Sequence, residues 1–318
     1  MNAEKPENEM SPEPDPDPVL SIVVTVVDGG EALRCFLDAV EALEDPPPLD
    51  VIIPFDESVA EVAGLQATHP RFRFLELGQI TPELPLDSAG GQHELYDRRR
   101  AAGLAAAEGD LIAILEDRGA PSRNWARQAV LLHREHAHGV IGGAIQGRPD
   151  SLLNWAFYVC DFGRYQLPFE SGTATWVSDV NVTYKRRILE DTRELWKERY
   201  QEPVVHWHLQ EKGEQLQLMS ELVVEHARPG TSLPMLLPER FHWGRLYGHI
   251  CARHMSLGKR IVRSLLGPLI PPLLFVRHAR TQWRKGKFGA FVQASPFVAI
   301  LLVVWTLGEV WGYITNRG

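Results

Sequence analysis

Cysteine is scarce in this chain: Cys35, Cys160 and Cys251 are odd in number, far apart and free of CxxC or finger spacing. No disulfide framework is implied, and a reducing compartment fits. No GxGxxG follows the first apolar run, so the usual mark of a dinucleotide enzyme is missing. No internal repeat is visible. Residues 1–18 have neither the basic start nor the apolar core of a secretory signal, so export of the domain behind them is not expected. Their six acids, five prolines and single lysine cannot bury apolar surface, which predicts a disordered acidic tail. Acids are also absent from residues 240–287, which hold eleven Lys or Arg in a chain of net charge −8.

What remains is ample for a core. With 318 residues and 44% hydrophobic content, the chain can form one large domain with appendages or two small ones. The basic stretch runs into "FVQASPFVAILLVVWTLGEVWGYI" (291–314), which carries a single acid, Glu309. As a helix that length spans about 30 Å of hydrocarbon, and flanking basic residues favour the cytoplasmic face and anionic lipid. A membrane is therefore the expected partner, not nucleic acid. The shorter, proline-broken "LLGPLIPPLLFV" (265–276) reads as interfacial or re-entrant.

Strands and helices alternate. "VLSIVVTVV" is a β-branched apolar strand, Asp28-Gly29-Gly30 a turn, and "EALRCFLDAVEAL" has helical spacing. "LDVIIPF", "FRFLEL" (72–77) and "LIAIL" read as further strands, with an alanine-rich helix ahead of the last. This order predicts an α/β fold with a mostly parallel sheet flanked by helices. Ligands of such sheets bind beyond the carboxyl ends of the strands, where Asp56 and the pair Glu116-Asp117 fall.

Taken in order, "SIVVTVVDGGEALRCFLDAV", "LDVIIPFDES", "RRRAAGLAAAEGDLIAILEDRGAPSRNW", "WVSDVNVTYKRRILE" and "QEPVVHWHLQEKGEQLQLMSELVVEHARPG" resemble the successive motifs of family 2 inverting glycosyltransferases. The final "WTLGEVWGYI" is similar to the membrane-proximal tail of some bacterial members. The resemblance implies a GT-A type fold that binds a nucleotide sugar. It divides the chain into the tail 1–18, a glycosyltransferase domain over 19–239 and a basic, hydrophobic membrane-associated region over 240–318. It also implies transfer of a sugar to a glycan or lipid-linked acceptor, with the protein attached to the cytoplasmic face of the cell membrane through its C-terminal segment.

The same resemblance assigns roles. Asp56 would bond the nucleobase or ribose, and Arg100 would lie near the donor, beside Ala101 where the family has asparagine. Trp176, Asp179 and Asn181 would contact the acceptor. Glu202 would be the general base, taking the acceptor hydroxyl's proton as its oxygen attacks the anomeric carbon; the usual Glu-Asp pair is Glu202-Pro203 here. Glu116, Asp117 and the late His226 would hold Mg²⁺ or Mn²⁺, both of which favour oxygen ligands. The triplet Glu116-Asp117-Arg118 departs from the D-x-D pattern, because a guanidinium cannot ligate a metal but can itself pair with diphosphate oxygens. Three outcomes follow: the metal stays, Arg118 replaces it, or donor binding is lost and the protein is a non-catalytic, membrane-bound scaffold.

Overall fold

The computed structural model describes residues 19–86 and 88–315; the expected tail 1–18 lies outside them. β1 (Leu20–Thr25) is buried at every position, as its unbroken apolar run requires of a central strand. Gly29 and Gly30 take positive φ, a conformation open to glycine, and turn the chain into α1 (Gly30–Glu41), which buries Leu33, Phe36, Leu37 and Val40. The chain continues through β2 (Leu49–Phe55), a 3-10 stretch (Glu57–Ala67), β3 (Arg73–Glu76), α2 (Ala89–Ala106) and β4 (Leu111–Glu116). Next come β5 (Gly119–Pro121), α3 (Trp125–Glu135), β6 (Val140–Gly147), α4 (Leu152–Phe162), β7 (Gly172–Ala174) and β8 (Asn181–Lys185). The helices α5 (Arg186–Asp191), α6 (Arg193–Trp196) and α7 (Glu202–Glu211) lead to β9 (Leu216–His226). The C-terminal part is helical: α8 (Leu233–Arg253), α9 (Leu257–Leu266), α10 (Ile270–Arg284) and α11 (Phe288–Thr315).

The strands form one sheet in the order β3-β2-β1-β4-β8-β6-β9-β5, with β7 also on β9. The predicted parallel arrangement holds through β3-β2-β1-β4 and returns in the β6–β9 pair. Between these, β8 runs antiparallel to both β4 and β6. One apolar core fills the α1 and α3 side of the sheet. A second, around Tyr184, Trp196 and Tyr200, fills the other side.

The domain boundary expected between 239 and 240 falls inside α8. The C-terminal helices are not a detached appendage: α4, α8, α10 and α11 share a third apolar cluster that includes Phe157, Leu236, Phe291 and Leu302. Along the α8–α11 crossing, a Cβ on Gly308 would overlap the carbonyl oxygen of Phe241, and one on Gly312 that of Arg245. Gly244 and Gly248 meet α11 in the same way, so glycine on both helices sets a close backbone approach. Among the described residues α11 is the one helix long and apolar enough to cross a membrane, and 33% of its most apolar window is buried.

Candidate functional site

The site grows from the carboxyl ends of β1 and β4. Thr25 pairs with Glu116 in register, so the loop after β1 and the Glu116-Asp117-Arg118 turn lie together. Asp117 ties them: its Oδ2 accepts the backbone N–H groups of Val27, Asp28 and Gly29 at 3.0, 3.0 and 2.8 Å. Its Oδ1 is buried without a partner, and burial raises its pKa to about 6 despite those bonds. Arg118 reaches back to the same loop, donating from Nε to Asp28 Oδ2 at 2.6 Å and from Nη2 to Oδ1.

β9 closes one side. Gly119 pairs with His226, which brings His226 and Arg228 beside Arg118. The His226 ring lies 4.7 Å from that of Phe162. Burial first, and then the charges of Arg118 and Arg228, push its pKa down to about 3, so the imidazole is neutral. Arg228 forks onto Glu239, with Nη1 donating to Oε1 at 2.8 Å, and its guanidinium lies 4.6 Å from the Phe157 ring centre.

α2 and the start of β8 build the opposite wall. Arg100 donates to Thr25 Oγ1 at 2.8 Å and pairs with Asp179 at 2.9 Å and Glu116 at 3.4 Å. Burial, reinforced by the Asp179 charge, raises the Glu116 pKa to about 7. The backbone N–H of Asp179 donates to Glu202 Oε2 at 3.1 Å. Glu202 begins α7, with Pro203 in the first turn, where the helix dipole favours a carboxylate. His206 Nδ1 lies 3.4 Å from its Oε1, and the Nε2 of the same ring is 2.6 Å from Tyr184 OH. Burial raises the pKa of Glu202.

These walls enclose a cavity of about 500 Å³, within the range of ligand pockets. Of the residues singled out from the sequence, Arg100, Glu116, Arg118, Trp176, Asp179 and His226 line it. Glu202 stands one hydrogen bond behind Asp179 and keeps 14% of its side chain exposed. Asp56, Asp117 and Asn181 do not line the cavity. Asp56 accepts from Arg99 Nη2 at 3.0 Å and from the N–H and Oγ of Ser58 at 2.8 and 2.6 Å. Burial alone would raise its pKa, but these donors outweigh that and hold it below the usual range. Asn181 is fully buried and spends its amide on Ala144 O, Leu222 O and the Trp125 indole N–H. Both side chains thus have their polar groups engaged within the fold.

No family model and no curated protein sequence match this chain. Among solved structures it is similar to a mannosyltransferase from Pyrobaculum calidifontis in complex with GDP-Man and Mn2+, at 12% identity, TM-score 0.53, over 96% of this chain and 91% of that one. It is also similar to S. aureus TarS 1-349 in complex with UDP-GlcNAc, at 11% identity and TM-score 0.46, over 71% of this chain and 64% of that one. The chain thus spans 64% of the length of that TarS structure. The fold is that of a glycosyltransferase.

Within this glycosyltransferase fold, the residues expected to hold a metal are not drawn together as a group of ligand atoms. Among the described residues, the group of three with ligand atoms within 4.8 Å of one another is Asp38, Glu41 and His69, on α1 and the 3-10 stretch side. Glu116, Asp117 and His226 form no such group. Asp117 spends Oδ2 on three backbone donors and keeps Oδ1 buried without a partner, and two guanidinium groups act on the His226 ring, where a further cation would be repelled. Sequence reasoning missed Asp28 and Arg228. Arg228 could have been found, since it lies two residues after His226 in "EHARPG"; Asp28 had no local signal, because its partner is 90 residues away.

Proposed function

We propose that this protein is an inverting glycosyltransferase that moves a sugar from a nucleotide-sugar donor to a hydroxyl of a glycan or lipid-linked acceptor at the cytoplasmic face of a membrane. The observation that carries this reading is the convergence of Arg100, Glu116, Arg118, Asp179 and His226 on one cavity at the strand ends of a glycosyltransferase fold. Arg118 and Arg228 flank a neutral His226, and on donor binding each planar fork exchanges its present carboxylate, Asp28 or Glu239, for diphosphate oxygens. They replace the divalent cation that the family pattern implies. Trp176 gives an apolar face to a sugar ring, and Asp179 orients the acceptor hydroxyl.

Glu202 takes that hydroxyl's proton as the oxygen forms its bond to the anomeric carbon, and the bond from that carbon to the diphosphate breaks with its electron pair leaving on oxygen. Its burial-raised pKa suits a base working near neutrality. The experiment is transfer from UDP- and GDP-sugars to membrane extracts by wild type, Glu202→Gln and Asp179→Asn. Glu202→Gln should lose kcat by at least about a hundredfold with KM kept, while Asp179→Asn should raise the acceptor KM. If Asp179→Asn alone abolishes turnover, the two roles are reversed. If wild type binds no nucleoside diphosphate by calorimetry, the protein is a scaffold, a reading favoured by the lock between Arg118 and Asp28.

A further inference from the structure

Among the described residues, the one helix long and apolar enough to span a bilayer is packed along one side against the protein. α11 has two opposite stripes. Phe291, Ala294, Val298, Leu301, Gly308 and Gly312 are buried, against α4 and α8. Val292, Ile300, Val303, Leu307, Trp311 and Ile314 are exposed. The buried stripe runs the whole helix, about 42 Å for its 28 residues. Crossing a bilayer would either separate it from α8 or draw α8 into hydrocarbon together with Glu239, Arg240 and Arg253.

The exposed stripe continues onto its neighbours. α9 buries none of its residues and exposes Leu257, Ile261, Val262 and Leu265, the last by 74%. Arg260 moors it to α11, donating from Nε to Tyr313 O at 3.0 Å. α10 exposes Leu273, Val276 and Trp283, and Arg280, Arg284 and, just past its end, Lys287 are exposed as well. From residue 240 to the end the chain has one acid, Glu309, which is buried and accepts from Tyr313 OH at 2.6 Å. The surface is thus apolar with a cationic rim and no acid of its own.

We infer that α9, α10 and α11 together seat the protein in the plane of an anionic lipid surface, with α11 lying along the bilayer and not through it. An apolar face with flanking arginines and interfacial Trp is what such a surface takes up. The inference deepens the functional proposal, because Ile270, Leu274, Leu302 and Trp305 of α10 and α11 also line the cavity, one helix thickness from the docked lipid. A lipid-linked acceptor would therefore reach the site from the side of the bilayer.

The test uses the full chain without substrates, so it stands apart from catalysis. Sedimentation with vesicles of equal parts phosphatidylcholine and phosphatidylglycerol should capture wild type. Capture should fall with pure phosphatidylcholine and by at least about tenfold for Leu265→Asp with Leu273→Asp. Single fluorescent labels at Val292, Val303 and Ile314 should all report the same shallow depth and all be quenched by an impermeant quencher added outside. Deep burial of the Val303 label with one end protected would overturn the in-plane arrangement. A stable dimer that binds no vesicle would assign the face to a second copy and overturn the lipid assignment.

Discussion

Replacing Asp56 by alanine separates a structural carboxylate from a ligand-binding one. The Asp56–Arg99 pair is almost wholly buried, each side chain being 1% exposed. Without Asp56, the Arg99 guanidinium keeps Val26 O at 2.9 Å and Ser58 Oγ at 2.6 Å and no counter-charge from β2. Breaking one partner of a buried pair costs about 3–5 kcal/mol, a large share of a total stability of about 5–15 kcal/mol. With a urea slope of about 2–3 kcal/mol/M, the unfolding midpoint should fall by about 1–2.5 M. The double substitution Asp56→Leu with Arg99→Met removes both charges and should recover much of that loss. Calorimetry on the folded single variant at low temperature should find nucleoside diphosphate affinity within about twofold of wild type, because the pair lies outside the cavity. An unchanged urea midpoint with abolished nucleotide binding would refute the reasoning and return Asp56 to the role expected from the sequence.

The cation site is tested by chelation: binding of UDP or GDP should survive EDTA in wild type, whereas Arg118→Asp should bind about 10- to 100-fold more weakly in EDTA and regain affinity with Mn²⁺. Collapse of wild-type binding in EDTA would show that a metal is needed. Gly308→Ala should lower stability by about 1–3 kcal/mol, read from thermal unfolding, because its Cβ meets the backbone of α8; an unchanged melting temperature would show that the α8–α11 crossing is looser than described. Burial lowers the pKa of His133 from 6.5 to about 4. The unfolded chain therefore takes up the proton first as pH falls, and stability present above pH 6.5 is lost between pH 6.5 and 4, by roughly 3 kcal/mol. The drop in urea midpoint between pH 7 and pH 4.5 should shrink in His133→Gln, and an equal drop in both proteins would exclude His133 as its source.

Local pattern alone determined a good deal. The unbroken apolar runs of β1 and β4 could only be central strands, the amphipathic spacing of α1 could only cover them, and alternation fixed their parallel order. Glu116 and Arg118 were placed correctly at a strand end because a strand's terminus is a property of its own sequence. Tertiary structure decided what each polar group does. Arg99, not Arg100, turned to Asp56, while Arg100 went to Glu116 and Asp179, because adjacent residues on α2 point in directions set by helix rotation and packing. Asp28 became the partner of Arg118 only when β1 and β4 lay side by side. Length and hydropathy gave α11 its capacity to span a membrane, but four glycines on two helices, and the contact they permit, laid it against the protein. Periodicity is written in neighbouring residues, whereas the choice of partner depends on which distant elements the core has brought within a few ångströms.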